Sequence, residues 1–591
     1  MALTVGAASC TEARRPSTPS AAGTVGTAGP VDTVGAAPGS TGPSASSSTP
    51  GGDLSVLVAG EVRTWDPQRM HPGPEAFFAQ RTFVRTLTGY GTGAHQLDLI
   101  GDLATTTGTP ADAGRTWSFT LRDGASWQDG APVTCEDVRR GVARTFEPEG
   151  DLRGTNYATF LLEVPTRVTA TGLEEPVYTG PADAAGRAAF ERAVACSGRT
   201  ITFHLRTPEP DFPRIVALPE FAPSPAPHSA TGAATGSALG PDRVMSTGPY
   251  RFSGAWTPGS GGTLVRNEGW DPASDPIRAA HPDTVTVSTG LDEGQVIARL
   301  LNGQGDDARA VSWVAASPTL RNQATPALAA RMTTPFTGNV DYLALNHRSG
   351  VMADPAVRAA FALATNRSTY LAAIGGEPAG EPTWSVLPPV VSDTGLTPPA
   401  GQSVDGDPVA ARALLERSGR TLPVTVRVVH AESVLGDKAY AALAAGWERA
   451  GFDVRLSSLP APDYYAAISA PAAAAAYDVF RGAWIPDLPS AAAVLPPLFD
   501  ARTNIDSTGP GQDVGYFDDA AVQALTDRAG ATLDTAARAD LWLRADRAVR
   551  DAGGYVALAA TRALHVHGPG VTHYEEHPVG GIVDLATVSV R

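Results

Sequence analysis

The chain has 591 residues, too many for one hydrophobic core, so two to four domains are expected. Hydrophobic residues make up 42% and charged residues 18%, the balance of a globular chain rather than a disordered one, and no stretch reaches the ~20 continuous apolar residues of a membrane span. A formal net charge of -16 repels phosphate backbones and anionic lipid, which argues against nucleic acid as a partner.

In chain order, the first nine residues, MALTVGAAS, are small or apolar and run directly into Cys10. Small residues before a cysteine resemble the lipobox of exported lipoproteins, so residues 1–10 are expected to be a residual signal with Cys10 lipidated. Residues 11–52 are Ser, Thr, Pro, Gly and Ala with almost no large apolar side chain, the composition of a flexible tether that cannot offset its chain entropy by burial. Of the other cysteines, Cys135 and Cys196 fall in the globular part; in an exported protein they favour one disulfide, the alternative being two buried thiols.

The run LSVLVAG (54–60) reads as a first strand and 75–88 as a helix carrying Phe77, Phe78, Phe83, Val84 and Leu87. TWSFTLR (116–122) alternates as a strand, and Asp-Gly turns at 123–124 and 129–130 follow it. Thr134, with Asp137 three residues on, caps a helix, and TITFHLR (200–206) repeats the earlier strand pattern. Strands are predicted at 263–266, 284–288, 341–345, 424–430, 453–459 and 555–567, and helices at 292–302, 355–366, 407–418, 437–450, 519–530 and 534–551. The 424–459 stretch has a βαβ order, and alternation throughout makes the fold class α/β with mixed sheets. Helix 534–551 carries Asp534, Arg538, Asp540, Arg544, Asp546 and Arg547 and reads as a solvated face.

Six segments in this order resemble the bacterial extracellular solute-binding proteins of family 5, the oligopeptide and dipeptide binders of ABC importers. They are TWSFTLRDGASWQDGAPVTCEDVRRGVARTF (116–146), STGPYRF (246–252) with LVRNEGWDP (264–272), DYLALNHRSGVMADPAVRAAFALATNR (341–367), GDPVAARALLERSG (406–419), YDVFRGAWIPDLPS (477–490) and AAVQALTDRAGATLDTAARADLWLRADRAV (520–549). The resemblance implies a two-lobed periplasmic-binding-protein-like fold of type II, with a hinge and an extra subdomain in the N-terminal lobe. The expected division is lobe I at 53–75, 196–336 and 555–591, the inserted subdomain at 76–195, and lobe II at 337–554.

By the same resemblance, Asp487 pairs with the α-ammonium of a peptide, because a carboxylate in a water-poor cleft makes a strong charge-assisted bond to a cation. Arg481 meets a ligand carboxylate or, alternatively, a structural ion-pair partner. Ala483, Trp484 and Ile485 offer backbone to a ligand by strand addition, with core packing the alternative for Trp484. Trp65, Tyr90 and Trp384 either stack on ligand or pack in a core. Family members often carry a second acid a few residues after the first; here the run is Asp-Leu-Pro-Ser.

His565, His567, His573 and His577 raise a metal reading, but no HExxH or CxxC accompanies them, and no metal or other cofactor is expected. No G-x-S-x-G elbow and no P-loop is present, so the chain is read as a non-enzyme. The implied partners are a peptide or other small solute, two ABC permease subunits and a lipid anchor at the outer face of the cytoplasmic membrane, with the protein itself a monomer. Two alternatives are a peptide-sensing lipoprotein and a binder of a sugar, metal chelate or antibiotic.

Overall fold

A computed structural model describes residues 51–148, 155–169, 174–225, 244–506 and 509–591. Cys10 and nearly all of the expected tether lie outside the described residues.

Three sheets organise the chain. The first has the strand order Tyr250–Thr257, Gly261–Arg266, Thr284–Leu291, Asp53–Ala59, Ala310–Val311. Asp53–Ala59 pairs parallel with its neighbours on both sides, and its Leu54, Val56 and Val58 side chains enter an aromatic-rich core with Trp65, Phe78 and Phe83. A four-stranded sheet is formed by Thr109–Ala111, Thr116–Thr120, Thr200–His204 and Val194–Ser197. The two strands of similar sequence are direct antiparallel neighbours here, Trp117 facing Phe203 and Phe119 facing Ile201, with these side chains in one core. A disulfide between Cys135 and Cys196 ties the first residue of helix Cys135–Arg144 to this sheet. That helix starts in the expected capping box: Asp137 N–H donates to Thr134 Oγ1, and Thr134 N–H donates to Asp137 Oδ2.

The third sheet has six strands in the order Gly380–Pro382, Tyr555–Arg562, Phe336–Leu345, Val479–Trp484, Val424–Ala431, Phe452–Leu459. Phe336–Leu345 is buried along nearly its whole length, as a central strand covered on both faces must be. Val424–Ala431 and Phe452–Leu459 run parallel on either side of helix Val434–Arg449 in sequence, the βαβ unit read from the alternation. Mixed sheets and helices in two lobes make an α/β architecture.

Four expectations are corrected. Helix 75–88 stops at Thr82: the Phe83 carbonyl leaves the helix to accept from the backbone N–H groups of Thr247 and Gly248. The predicted helix 355–366 ends at Ala364, where the Thr365 hydroxyl accepts from the Trp447 indole, and a separate helix Arg367–Ile374 follows. Residue 195 does not bound the inserted unit, because strands on both sides of it pair within one sheet. Tyr555–Arg562, expected in lobe I, is a strand of the second-lobe sheet; the chain returns to the first lobe at His565, which pairs with Thr333. The two crossings therefore run side by side, held by Arg562, which donates to the Thr334 carbonyl and lies 4.0 Å over the Phe336 ring.

Candidate functional site

The seam between the lobes gathers most of the chemistry. Strand Val479–Trp484 pairs antiparallel with Phe336–Leu345 along its whole length. On its other edge only Val479 and Phe480 pair, with Val428 and Val429. The Tyr464 hydroxyl donates to the Arg481 carbonyl, and beyond it no strand pairs with this edge among the described residues. Ala483 and Trp484 thus keep one backbone edge without a strand partner among the described residues. Ile485 is 44% exposed, and Trp484 is half-buried with its indole N–H donating to the Ala493 carbonyl. The strand then turns through Pro486 into Asp487. Ile485, Pro486 and Leu488 line a small, partly open pocket opposite Pro578 and Val579 of the first lobe.

Asp487 reaches the other lobe. Its Oδ2 accepts from the Tyr157 hydroxyl at 3.2 Å. Burial raises its pKa above the ordinary carboxylate value, while the Tyr157 hydrogen bond and His71 partly oppose that. Next along the chain, Leu488 packs into the core of the four-stranded sheet. Ser490 then donates through Oγ to Asp211 Oδ2, and Asp211 also accepts from Arg214 at 2.9 Å and pairs with Arg538 at 3.3 Å. Asp211 belongs to the first lobe and Arg538 to helix Thr535–Asp551 of the second, so one carboxylate clasps the lobes together. The lobes meet directly at these contacts.

The expected ligand residues divide. Ile485 lines the interlobe pocket, Asp487 contacts Tyr157 of the other lobe, and Trp484 packs against the second-lobe core. Arg481 lies on the same strand, but its guanidinium donates to Asp341 Oδ1 at 3.1 Å and to the Tyr465 hydroxyl at 3.0 Å. Burial pushes its pKa down, yet Asp341 and the surrounding tyrosines together hold it above the ordinary arginine value. Of the two readings for Arg481, the geometry displays the ion pair. Trp65 is core: it is 2% exposed and packed against Phe78, Phe83, Phe252 and Trp256, with no place in the cleft. Trp384 is also buried, beneath the Arg367 guanidinium at 4.7 Å. Tyr90 is buried in the first lobe near His577 and within electrostatic reach of Asp211 and Arg214.

Sequence reasoning passed over Tyr157, Asp211, Glu220 and Asp341. Glu220 left a readable signal, as the single acid in the apolar run IVALPEFAP (215–223). The reading of helix 534–551 as a solvated face is corrected: Arg538 and Asp546 are buried, Asp546 accepting from Tyr555 and Ser385. The carboxyl-terminal histidines do not converge. His565 contacts Glu576 at 2.7 Å, while the ring of His577 packs near Phe77 and Tyr90. Among the described residues no three metal-ligating side chains cluster.

A family model described as "Bacterial extracellular solute-binding proteins, family 5 Middle" matches residues 98–506. Among solved structures, "Clavulanic acid biosynthesis oligopeptide binding protein 2" superposes with a TM-score of 0.78 at 30% identity, covering 92% of this chain and 96% of that one. The periplasmic binding protein DppA from Helicobacter pylori, in complex with peptide STSA, superposes with a TM-score of 0.62 at 17% identity, covering 92% of this chain and 98% of that one. Among curated proteins, the periplasmic murein peptide-binding protein MppA of Escherichia coli (strain K12) is 23% identical over 387 residues, 63% of this chain and 65% of that protein. The oligopeptide-binding protein OppA of Bacillus subtilis (strain 168) is 23% identical over 181 residues, 30% of each chain. The matches thus span under two thirds of the length of either curated relative.

Proposed function

Because the chain belongs to the bacterial extracellular solute-binding proteins, family 5, we propose that it captures a peptide between its lobes and delivers it to an ABC permease. One observation carries the peptide reading. Asp487 follows shortly after a strand whose second edge, past Phe480, has no strand partner among the described residues, and its carboxyl accepts from Tyr157 of the opposite lobe. An extended ligand added to that edge would gain main-chain hydrogen bonds at Ala483–Ile485 and set its amino terminus against Asp487. The buried carboxylate then selects for the ammonium, because a ligand without it leaves the charge unpaired in a water-poor seam. Closure on the ligand creates the form presented to the permease, and binding energy shared by both lobes stabilises that form.

In this reading the protein is a binding component without catalytic chemistry. It works outside the cytoplasmic membrane as a monomer, tethered by a lipid on Cys10 through residues 11–52; among the described residues no helix is long and apolar enough to cross a membrane. Lobe I comprises the first sheet and the carboxyl-terminal segment from His565, with the four-stranded sheet inserted in it; lobe II is the six-stranded sheet with its helices.

The test is thermal stability with alanine peptides of two to six residues, each with a free or acetylated amino terminus. At ~100 times its dissociation constant a ligand adds roughly 2.7 kcal/mol, a shift of a few degrees. Stabilisation by free but not acetylated peptides, lost in Asp487→Asn, supports the reading. Equal stabilisation by both forms would remove the ammonium from it, and no stabilisation by any would overturn the peptide assignment.

A further inference from the structure

Given that reading of Asp487, we infer that Glu220 of the first lobe is the second carboxylate of the same subsite, so that a ligand's ammonium is held from both lobes at once. The acid absent after Asp487 in sequence is supplied across the seam.

Glu220 has no exposed surface. Its Oε1 accepts from the Ala158 N–H at 3.3 Å, while Oε2 is buried with no hydrogen-bond partner. The Thr155 hydroxyl lies beside it, also buried and also without hydrogen-bond geometry to any partner. Consecutive residues thus hold the two acids: Tyr157 donates its hydroxyl to Asp487, and Ala158 donates its backbone N–H to Glu220. Burial pushes the Glu220 pKa up to about 7, the adjacent Thr155 hydroxyl and the Ala158 N–H oppose that, and the nearby Asp487 charge raises it further. The other titratable groups facing the pair are Tyr157 and, through Asp487, His71.

A purely structural acid does not suit this position. An acceptor oxygen buried without a donor costs about 1–3 kcal/mol, and glutamine would fill the same volume. An ammonium brings three donors and one positive charge, matching the unpartnered Glu220 oxygen on one side of the seam and the Asp487 carboxylate on the other. Its arrival favours ionised Glu220, so the carboxyl proton is released to solvent as the cation binds.

The experiment is isothermal titration calorimetry near pH 6.5, on the full chain, with the most stabilising free alanine peptide of the panel above. Paired buffers of different ionisation enthalpy count the protons exchanged. Wild type is expected to release more than half a proton per peptide, because most of Glu220 is protonated there. Glu220→Gln, checked for an unchanged folded spectrum, is expected to abolish that release and weaken binding at least tenfold. If wild type binds with no proton exchanged, or Glu220→Gln binds equally tightly, this inference fails while loss of binding in Asp487→Asn still upholds the parent reading. If no alanine peptide binds, both fall together.

Discussion

The interlobe clasp at Asp211 gives the sharpest prediction about closure. Arg538 lies 3.3 Å from Asp211, and the two side chains are 9% and 5% exposed. Opening the lobes returns Arg538 to water, whereas Asp211 keeps Arg214 from its own lobe. Arg538→Gln therefore removes an interaction specific to the closed form. Hydrogen bonds to charged groups contribute about 1.5–3 kcal/mol when buried, so the open–closed equilibrium should shift roughly ten- to a hundredfold toward open. A ligand that requires closure loses affinity by a similar factor. Small-angle scattering of the free protein should show a larger radius of gyration, and titration should show the weaker Kd. Arg544→Gln is the control on the same helix: its 3.7 Å pair with Asp540 is exposed and should contribute at most about 1 kcal/mol. An Arg538→Gln protein with wild-type scattering and wild-type affinity would refute the assignment of Asp211 as the clasp.

Other consequences follow from the same geometry. Asp341→Asn strips the buried Arg481 of its carboxylate and should cost about 3–5 kcal/mol in urea unfolding; if Asp341→Leu combined with Arg481→Met fails to recover most of that loss, the burial argument is wrong. Removing the Cys135–Cys196 bridge frees a loop whose ends are 61 positions apart in sequence and should cost about 4 kcal/mol, read as a lower Tm of the inserted unit with ligand affinity retained. Glu220 is raised to about 7 in the folded protein, so the folded state holds its proton more tightly than the unfolded chain does. Its contribution is thus favourable at low pH and declines as pH rises from about 4.5 through 7; Glu220→Gln should flatten that part of the profile.

Much of the fold was legible because burial writes itself into periodicity. The alternating Trp117, Phe119 and Ile201, Phe203 marked two strands whose apolar faces share one core. Thr134 with Asp137 marked the start of a helix. The errors arose where tertiary partners override local pattern. Phe83 and Val84 have helical spacing from Phe77 and Phe78, but the Phe83 carbonyl finds better donors in the 246–248 segment than in a continuing helix. At the candidate site, the Trp-x-x-Asp context singled out Asp487, which does contact the opposite lobe. Tyr157, Asp211 and Glu220 were not, since a residue some 330 positions away in sequence leaves no local trace of its contact. Arg538 was misread because alternating charge on a helix specifies an amphipathic face without saying what packs against it.

The distribution of charge at the seam argues for the sign of the ligand. Glu209, Asp211 and Glu220 of the first lobe and Asp487 of the second all lie along it. Asp211 is neutralised by Arg214 and Arg538. Glu209 and Glu220 are each pushed up to about 7, chiefly by burial and further by a neighbouring aspartate. Burial disfavours the charged forms of Glu209 and Glu220, so raising the pH should favour opening, where water rehydrates them. A ligand carboxylate entering this end would add negative charge to an already acidic seam, whereas an ammonium replaces the missing proton with a fixed positive charge. On the proposed reading, closure and recognition of a cation are one electrostatic event, with wrong-signed ligands rejected by the same groups that hold the right one.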